Sequence, residues 1–117
     1  MPRRGTESRR GSGAERRAAN HYRLRGFRIL DRNAWVGGYE VDLVARRGRI
    51  VAFVEVKARA SEDGAAMALD QYRLRRVAIA AERLAPRYAR PGDDIRIDAL
   101  FLMPRRLPRH LANVWHG

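Results

Sequence analysis

The chain has no cysteine and, among its 25 basic residues, a single lysine, Lys57. Without cysteine there is no disulfide framework, thiolate zinc site or cysteine nucleophile. Long apolar stretches are also missing. Runs such as 50–54 and 99–103 are far short of the ~20 residues that span a bilayer, so no membrane partner is expected. No apolar segment follows the Arg-rich beginning, so no secretion signal is expected and the cytoplasm is the expected location. Acidic residues are scarce, 13 against 25 basic, leaving a net charge of +12. That balance points to a polyanionic partner, nucleic acid. Apolar residues make up 45%, too many for a wholly disordered basic tail, and 117 residues suit one compact domain.

The lone lysine carries information. A chain that uses arginine almost everywhere keeps lysine at 57, where a compact, titratable point charge differs from a bulky, always-protonated fork. Lys57 is therefore the first candidate for chemistry.

Residues 1–12 mix Arg, Gly, Ser and Pro and read as a mobile basic arm, leaving 13–117 as a single domain. A first helix is expected over 14–25, with Gly26 as its cap and Glu15, Ala18, Ala19 and Tyr22 on one stripe. Leu24 does not fit this stripe. Glu15 reads as a first-turn carboxylate favoured by the helix dipole or as a site residue. Strands follow at 27–32, 39–46 and 49–58, then a helix over 65–85 that Pro86 should end, with Met67 and Leu74 on its inner stripe. A strand at 95–102 and a short one within 110–115 complete the order α-β-β-β-α-β(-β). The helix between the third and fourth strands is a crossover, so those strands should be parallel. The fold class is α/β, a mixed sheet flanked by helices.

The hairpin bears the chemistry. Arg47-Gly48 as its turn pairs Val44 with Val51, Asp42 with Phe53 and Glu40 with Glu55. Alternation then puts Val41, Leu43, Ala45, Ile50, Ala52, Val54 and Val56 on one apolar face. The other face carries Glu40, Asp42, Val44, Val51, Phe53, Glu55 and Lys57. One lysine cannot neutralise three carboxylates, and like charges across a ladder repel. The set is all oxygen, which suits a hard Mg²⁺ or Mn²⁺ ion. Such an ion within a basic surface fits phosphodiester hydrolysis, with Lys57 orienting water or stabilising the phosphorane.

Asp42 followed by Glu55-Val56-Lys57, behind a helix bearing Glu15, resembles the PD-(D/E)XK nuclease signature. More narrowly, Gly11-Ser12-Gly13-Ala14-Glu15, Gly26-Phe27-Arg28-Ile29-Leu30-Asp31-Arg32-Asn33, Glu40-Val41-Asp42-Leu43-Val44-Ala45 and Phe53-Val54-Glu55-Val56-Lys57-Ala58-Arg59 resemble the YraN family of predicted endonucleases. The resemblance implies a restriction-endonuclease-like fold related to Holliday junction resolvases. It also implies Asp42, Glu55 and the Val56 carbonyl as metal ligands, Lys57 as the catalytic lysine and Glu15 as the carboxylate completing the site. Glu40 falls in a family block and is a further candidate ligand. Branched DNA and a two-fold homodimer follow from the resolvase likeness. The chain departs from the family pattern at Tyr39, where glycine is usual, and at Arg73, where lysine or glutamine is frequent.

Arg73, Arg76 and Arg83 on the second helix, with Arg59, are candidate phosphate contacts or a solvated face. Trp35, expected in the loop before the hairpin, is a candidate stacking or packing residue. His21, His110 and His116 read as isolated surface or packing residues, and Asp98 as a local cap or pairing partner. Two functions compete: a metal-dependent DNA endonuclease, and a non-catalytic nucleic-acid-binding module or RNA-associated accessory protein on a nuclease fold.

Overall fold

The computed structural model describes residues 2–60 and 68–116, with side chains described from residue 13 onward. The elements are α1 (Pro2–Leu24), β1 (Arg28–Val36), β2 (Tyr39–Arg47), β3 (Ile50–Ala58), α2 (Gln71–Tyr88), β4 (Asp94–Leu102) and β5 (Arg109–Leu111). The five strands lie side by side in chain order. All neighbours are antiparallel except β3 and β4, the parallel pair joined through α2. The element order is the one expected.

Each sheet face is buried by one helix. Ala18, Ala19 and Tyr22 of α1 cover Leu43, Ala45, Ala52 and Val54, with Leu100 and Leu102 of β4. Two alanines on the contacting stripe let the helix approach closely. Leu74, Val77, Ala80, Ala81 and Leu84 of α2 cover Val44, Val51, Phe53 and Ile97. Val41, expected on the same face as Leu43 and Ala45, joins this second cluster together with its ladder partner Ala34. Leu24, which fits no stripe, is exposed.

The β2–β3 turn differs from expectation, and the difference matters for the site. Arg47 pairs with Ile50, so the two turn residues are Gly48 and Arg49. Gly48 has φ +60° and Arg49 is not left-handed, the signature of a type II′ turn, which needs glycine at its first central position. The expected turn placed glycine second. Pairing therefore becomes Val44 with Phe53 and Arg46 with Val51. The offset is two residues, so the change of register itself moves no side chain to the other face. Asp42, however, comes level with Glu55 rather than Phe53 when the register is continued.

Three helix boundaries also differ. α1 starts at Pro2, a residue suited to the first helical position, and the backbone of the Arg-rich 2–12 segment, expected as a mobile arm, continues the helix. α2 starts at Gln71, where the Asp70 carboxylate accepts the N–H groups of Tyr72 and Arg73 at 3.0 and 3.2 Å. Part of the expected earlier start, including Met67, lies outside the described residues. Pro86 lies inside α2 instead of ending it. In the final turn it removes one hydrogen bond, and Ala89 still donates to Ala85 O at 2.7 Å.

Candidate active site

The α2 side of the β2–β3 hairpin is apolar near the turn and acidic toward its open end. Recorded pairing runs from Arg47–Ile50 to Leu43–Val54. Just beyond it, the backbone N–H of Val56 donates to Asp42 Oδ2 at 2.7 Å. One side chain thus holds the two strands together where ladder pairing stops, and its carboxylate is locked beside Glu55.

Glu55 is deeply placed, its side chain 6% exposed. Its Oε2 accepts from Lys57 Nζ at 3.3 Å and from Arg73 Nε at 2.9 Å. Lys57 is buried on the same strand two residues on, whereas Arg73 reaches in from the first turn of α2 with 61% of its side chain exposed. The Glu55 carboxylate raises the Arg73 guanidinium above its usual range, by hydrogen bond and by charge. Asp42 is pushed up to about 7 by burial and by the charge of Glu55, Glu40 adding to the rise while the Val56 amide and Arg73 oppose it. Burial and the neighbouring carboxylates thus outweigh the cations at Asp42, whose own oxygens meet, among the described residues, only the Val56 amide.

Asp42, Glu55 and Arg73 line a cleft of about 340 Å³, bounded also by Trp35, Glu40, Tyr72 and Arg76, while the buried Lys57 is not on its wall. A larger hollow of about 430 Å³ between α2 and β4 is faced mainly by Ile79, Ile95, Ile97 and Trp115, with Glu82 its only carboxylate. It offers no comparable chemistry. Among the described residues, no three His, Cys, Asp or Glu side chains gather tightly enough to hold a metal by themselves. The donor set nevertheless suits a hard divalent ion. Asp42 and Glu55 supply oxygen only, and Mg²⁺ takes one or two carboxylates and completes its shell with water and substrate phosphate.

Asp42, Glu55 and Lys57 are thus brought together, with Glu40 on the cleft wall. Glu15 lies elsewhere: the Asn33 side-chain amide donates to its carboxylate, and it does not line the cleft. Trp35 does line the cleft, yet it belongs to β1 opposite Glu40 rather than to a loop, because Gly37-Gly38 form the turn. Both glycines have positive φ, 52° and 86°, as a two-residue type I′ hairpin needs. Arg76 is on the cleft wall, Arg83 stacks over Tyr39 at 5.2 Å, and Arg59 bonds Ala58 O at 2.9 Å, away from the cleft.

Sequence reasoning missed two features. Arg73, read as a phosphate contact, is the ion-pair partner of Glu55. Its position three residues after a helix-capping Asp70 was the available signal. The second is a buried polar cluster on the α1 side: Asp98 accepts from Tyr22 Oη at 2.6 Å and from Arg96 Nε at 3.0 Å, and meets His110 Nε2 at 2.8 Å. His110 in turn meets His21 at 3.1 Å. Residues nearly ninety positions apart carry no local sign of such a contact.

Residues 14–102 match the uncharacterised protein family UPF0102. A UPF0102 protein of Sphingopyxis alaskensis is 63% identical over 106 residues, 91% of each chain. One from Rhizorhabdus wittichii is 52% identical over 117 residues, covering 100% of this chain and 99% of the relative. Among solved structures, Hjc of Archaeoglobus fulgidus, a Holliday junction resolvase from an archaeal hyperthermophile, superposes with a TM-score of 0.59 at 21% identity. It covers 84% of this chain and 72% of that one. This likeness is one of fold, restriction-endonuclease-like with a mixed sheet between helices. With the family match spanning residues 14–102 and relatives aligned over nearly their whole length, the chain belongs to the UPF0102 (YraN) family.

Proposed function

We propose that this protein is a metal-dependent endonuclease that hydrolyses DNA phosphodiester bonds, with branched DNA as its preferred substrate. The observation that carries the reading is the Asp42–Glu55 pair, with Lys57 and Arg73 on one Glu55 oxygen, inside a cleft of a protein with net charge +12. Asp42, Glu55 and the Val56 carbonyl would hold Mg²⁺ or Mn²⁺, with Glu40 close enough to assist through water. Such an ion, when bound, supplies Lewis acidity toward phosphate and lowers the pKa of a water.

The other roles belong to the chain. The Asp42–Val56 bond fixes the carboxylate without spending side-chain entropy at the moment of reaction. Lys57 Nζ is buried and anchored to Glu55, and it would hold the attacking water or a phosphate oxygen once substrate brings one within its reach. With Nε on Glu55, Arg73 still presents its terminal NH₂ groups, and its exposure leaves them open to a phosphate. Arg76 lengthens that basic wall. Glu15 takes no part in this scheme while Asn33 holds it. Symmetric cutting of two strands requires a second site, which a two-fold homodimer supplies. Action on chromosomal DNA would make the cytoplasm its place of work.

The test is cleavage of labelled single-stranded, duplex, flap and four-way-junction DNA in Mg²⁺, Mn²⁺ or EDTA, beside Lys57→Ala and Asp42→Asn. Metal-dependent cutting is expected, falling at least about a hundredfold in both variants while binding persists. Binding of every substrate with cleavage of none in either metal would leave the protein a nucleic-acid-binding module.

A further inference from the structure

Tyr72 is 68% exposed in the first turn of α2, one residue before the arginine that grips Glu55. Tyr72, Arg76 and Arg83 stand at relative positions 0, 4 and 11, within about 40° of one another around the helix. Tyr39, carried in by the Gly37-Gly38 turn, inserts between the last two. The Arg76 guanidinium lies 6.0 Å from the Tyr72 ring centre and 4.7 Å from that of Tyr39, and the Arg83 guanidinium lies 5.2 Å from Tyr39. Arg76 also donates to Gly38 O at 3.3 Å, which holds it in place. Rings and cations thus alternate along one line that starts at the mouth of the carboxylate cleft.

A surface that grips only duplex phosphates needs cations and has no use for an open aromatic face, because paired bases keep their own faces stacked. An exposed ring within a row of arginines suits a base that has left the stack, with its flanking phosphates on the cations. We propose that the Tyr72–Arg76–Tyr39–Arg83 row binds an unpaired DNA nucleotide, stacking its base on Tyr72. Arg73, next in sequence, holds the adjoining phosphate toward Glu55. The cut therefore falls beside a point where the duplex opens. The position of the cut rests on the nuclease reading, whereas the stacking does not.

Binding in EDTA separates the two. Fluorescence anisotropy would compare wild type, Tyr72→Ala and Tyr72→Phe on a single strand, a blunt duplex and the same duplex with a single-stranded flap. Tyr72→Ala should weaken single-strand and flap binding about tenfold and leave the blunt duplex within about twofold. Tyr72→Phe, which keeps the ring, should bind as wild type. Equal loss on the duplex, no loss on any substrate, or failure of phenylalanine to restore binding each overturns the proposal. Circular dichroism checks that the exposed substitution leaves the fold intact. Selective loss in a protein that cuts nothing with metal would sink the nuclease reading alone. Cleavage with unchanged single-strand binding would sink the stacking alone.

Discussion

Replacing Asp42 by asparagine removes a charge that the metal-free fold holds at a cost. The asparagine side-chain oxygen can still accept the Val56 amide that Asp42 holds at 2.7 Å, so the strand contact survives while repulsion from Glu55 and Glu40 disappears. Asp42 rises from 3.8 to about 7 on folding. Its folded pKa lies above its unfolded one, so the native state binds more protons between pH 4 and 7, and stability falls as pH rises through that window. Three units at 1.36 kcal/mol each set a ceiling of about 4 kcal/mol, and partial solvent contact brings the expectation to about 2–4. At pH 5, about one unit above the unfolded pKa, the variant should already lead by about 1 kcal/mol. At pH 8 Asp42→Asn should be more stable by about 2–4 kcal/mol, or roughly 10 °C in Tm for a domain of this size. Urea unfolding followed by circular dichroism at both pH values, in EDTA, measures the difference, from which other titrating groups cancel. Millimolar Mg²⁺ at pH 8 should close the gap by stabilising only wild type. An asparagine variant that is less stable at pH 8, or a difference independent of pH, would refute the electrostatic account.

Three further expectations follow from the same structure. Asp98→Ala should cost about 3–5 kcal/mol in urea unfolding, because it strips partners from buried Tyr22 and from Arg96 together; a loss under about 1 kcal/mol would show that water replaces them. Burial, helped by the charges of Arg25 and His110, lowers His21 to about 4 from 6.5, so the unfolded state binds more protons in that window and His21 contributes stability that grows from pH 4 to 6.5. His21→Leu should flatten that part of the stability profile, and an unchanged slope would count against the assignment. Gly48→Val, at φ +60° with no atom crowding the added Cβ, should cost about 1–2 kcal/mol in thermal unfolding through backbone strain alone, and a neutral result would mean the turn had changed type.

Except at Val41, the alternation along β2 and β3 reported the two faces of the hairpin correctly because side-chain direction has a period of two, and that period survives any even shift of register. The same pattern could not say which two residues turn. A glycine serves the first central position of one turn type and the second of another, and only the twist of the folded pair selects between them. Asp42 therefore carried the right face and the wrong neighbour. Pro86 misled for a related reason: its lost hydrogen bond is small beside the burial of Leu84 and Ala81 that holds the helix in place.

Local chemistry settled what the chain could read locally. The absence of cysteine, the arginine excess with Lys57 as exception, the parallel crossover and the Asp42, Glu55 and Lys57 set all follow from composition and short-range spacing. Long-range placement was decided by the tertiary structure alone. Packing α2 across the acidic face brings Arg73 onto Glu55 and Tyr72 to the cleft mouth. Packing α1 on the other face ties Glu15 to Asn33 and closes Tyr22, His21 and His110 around Asp98. A carboxylate's partner is whichever cation or amide the packed elements deliver within about 3 Å, and no sequence period encodes that distance.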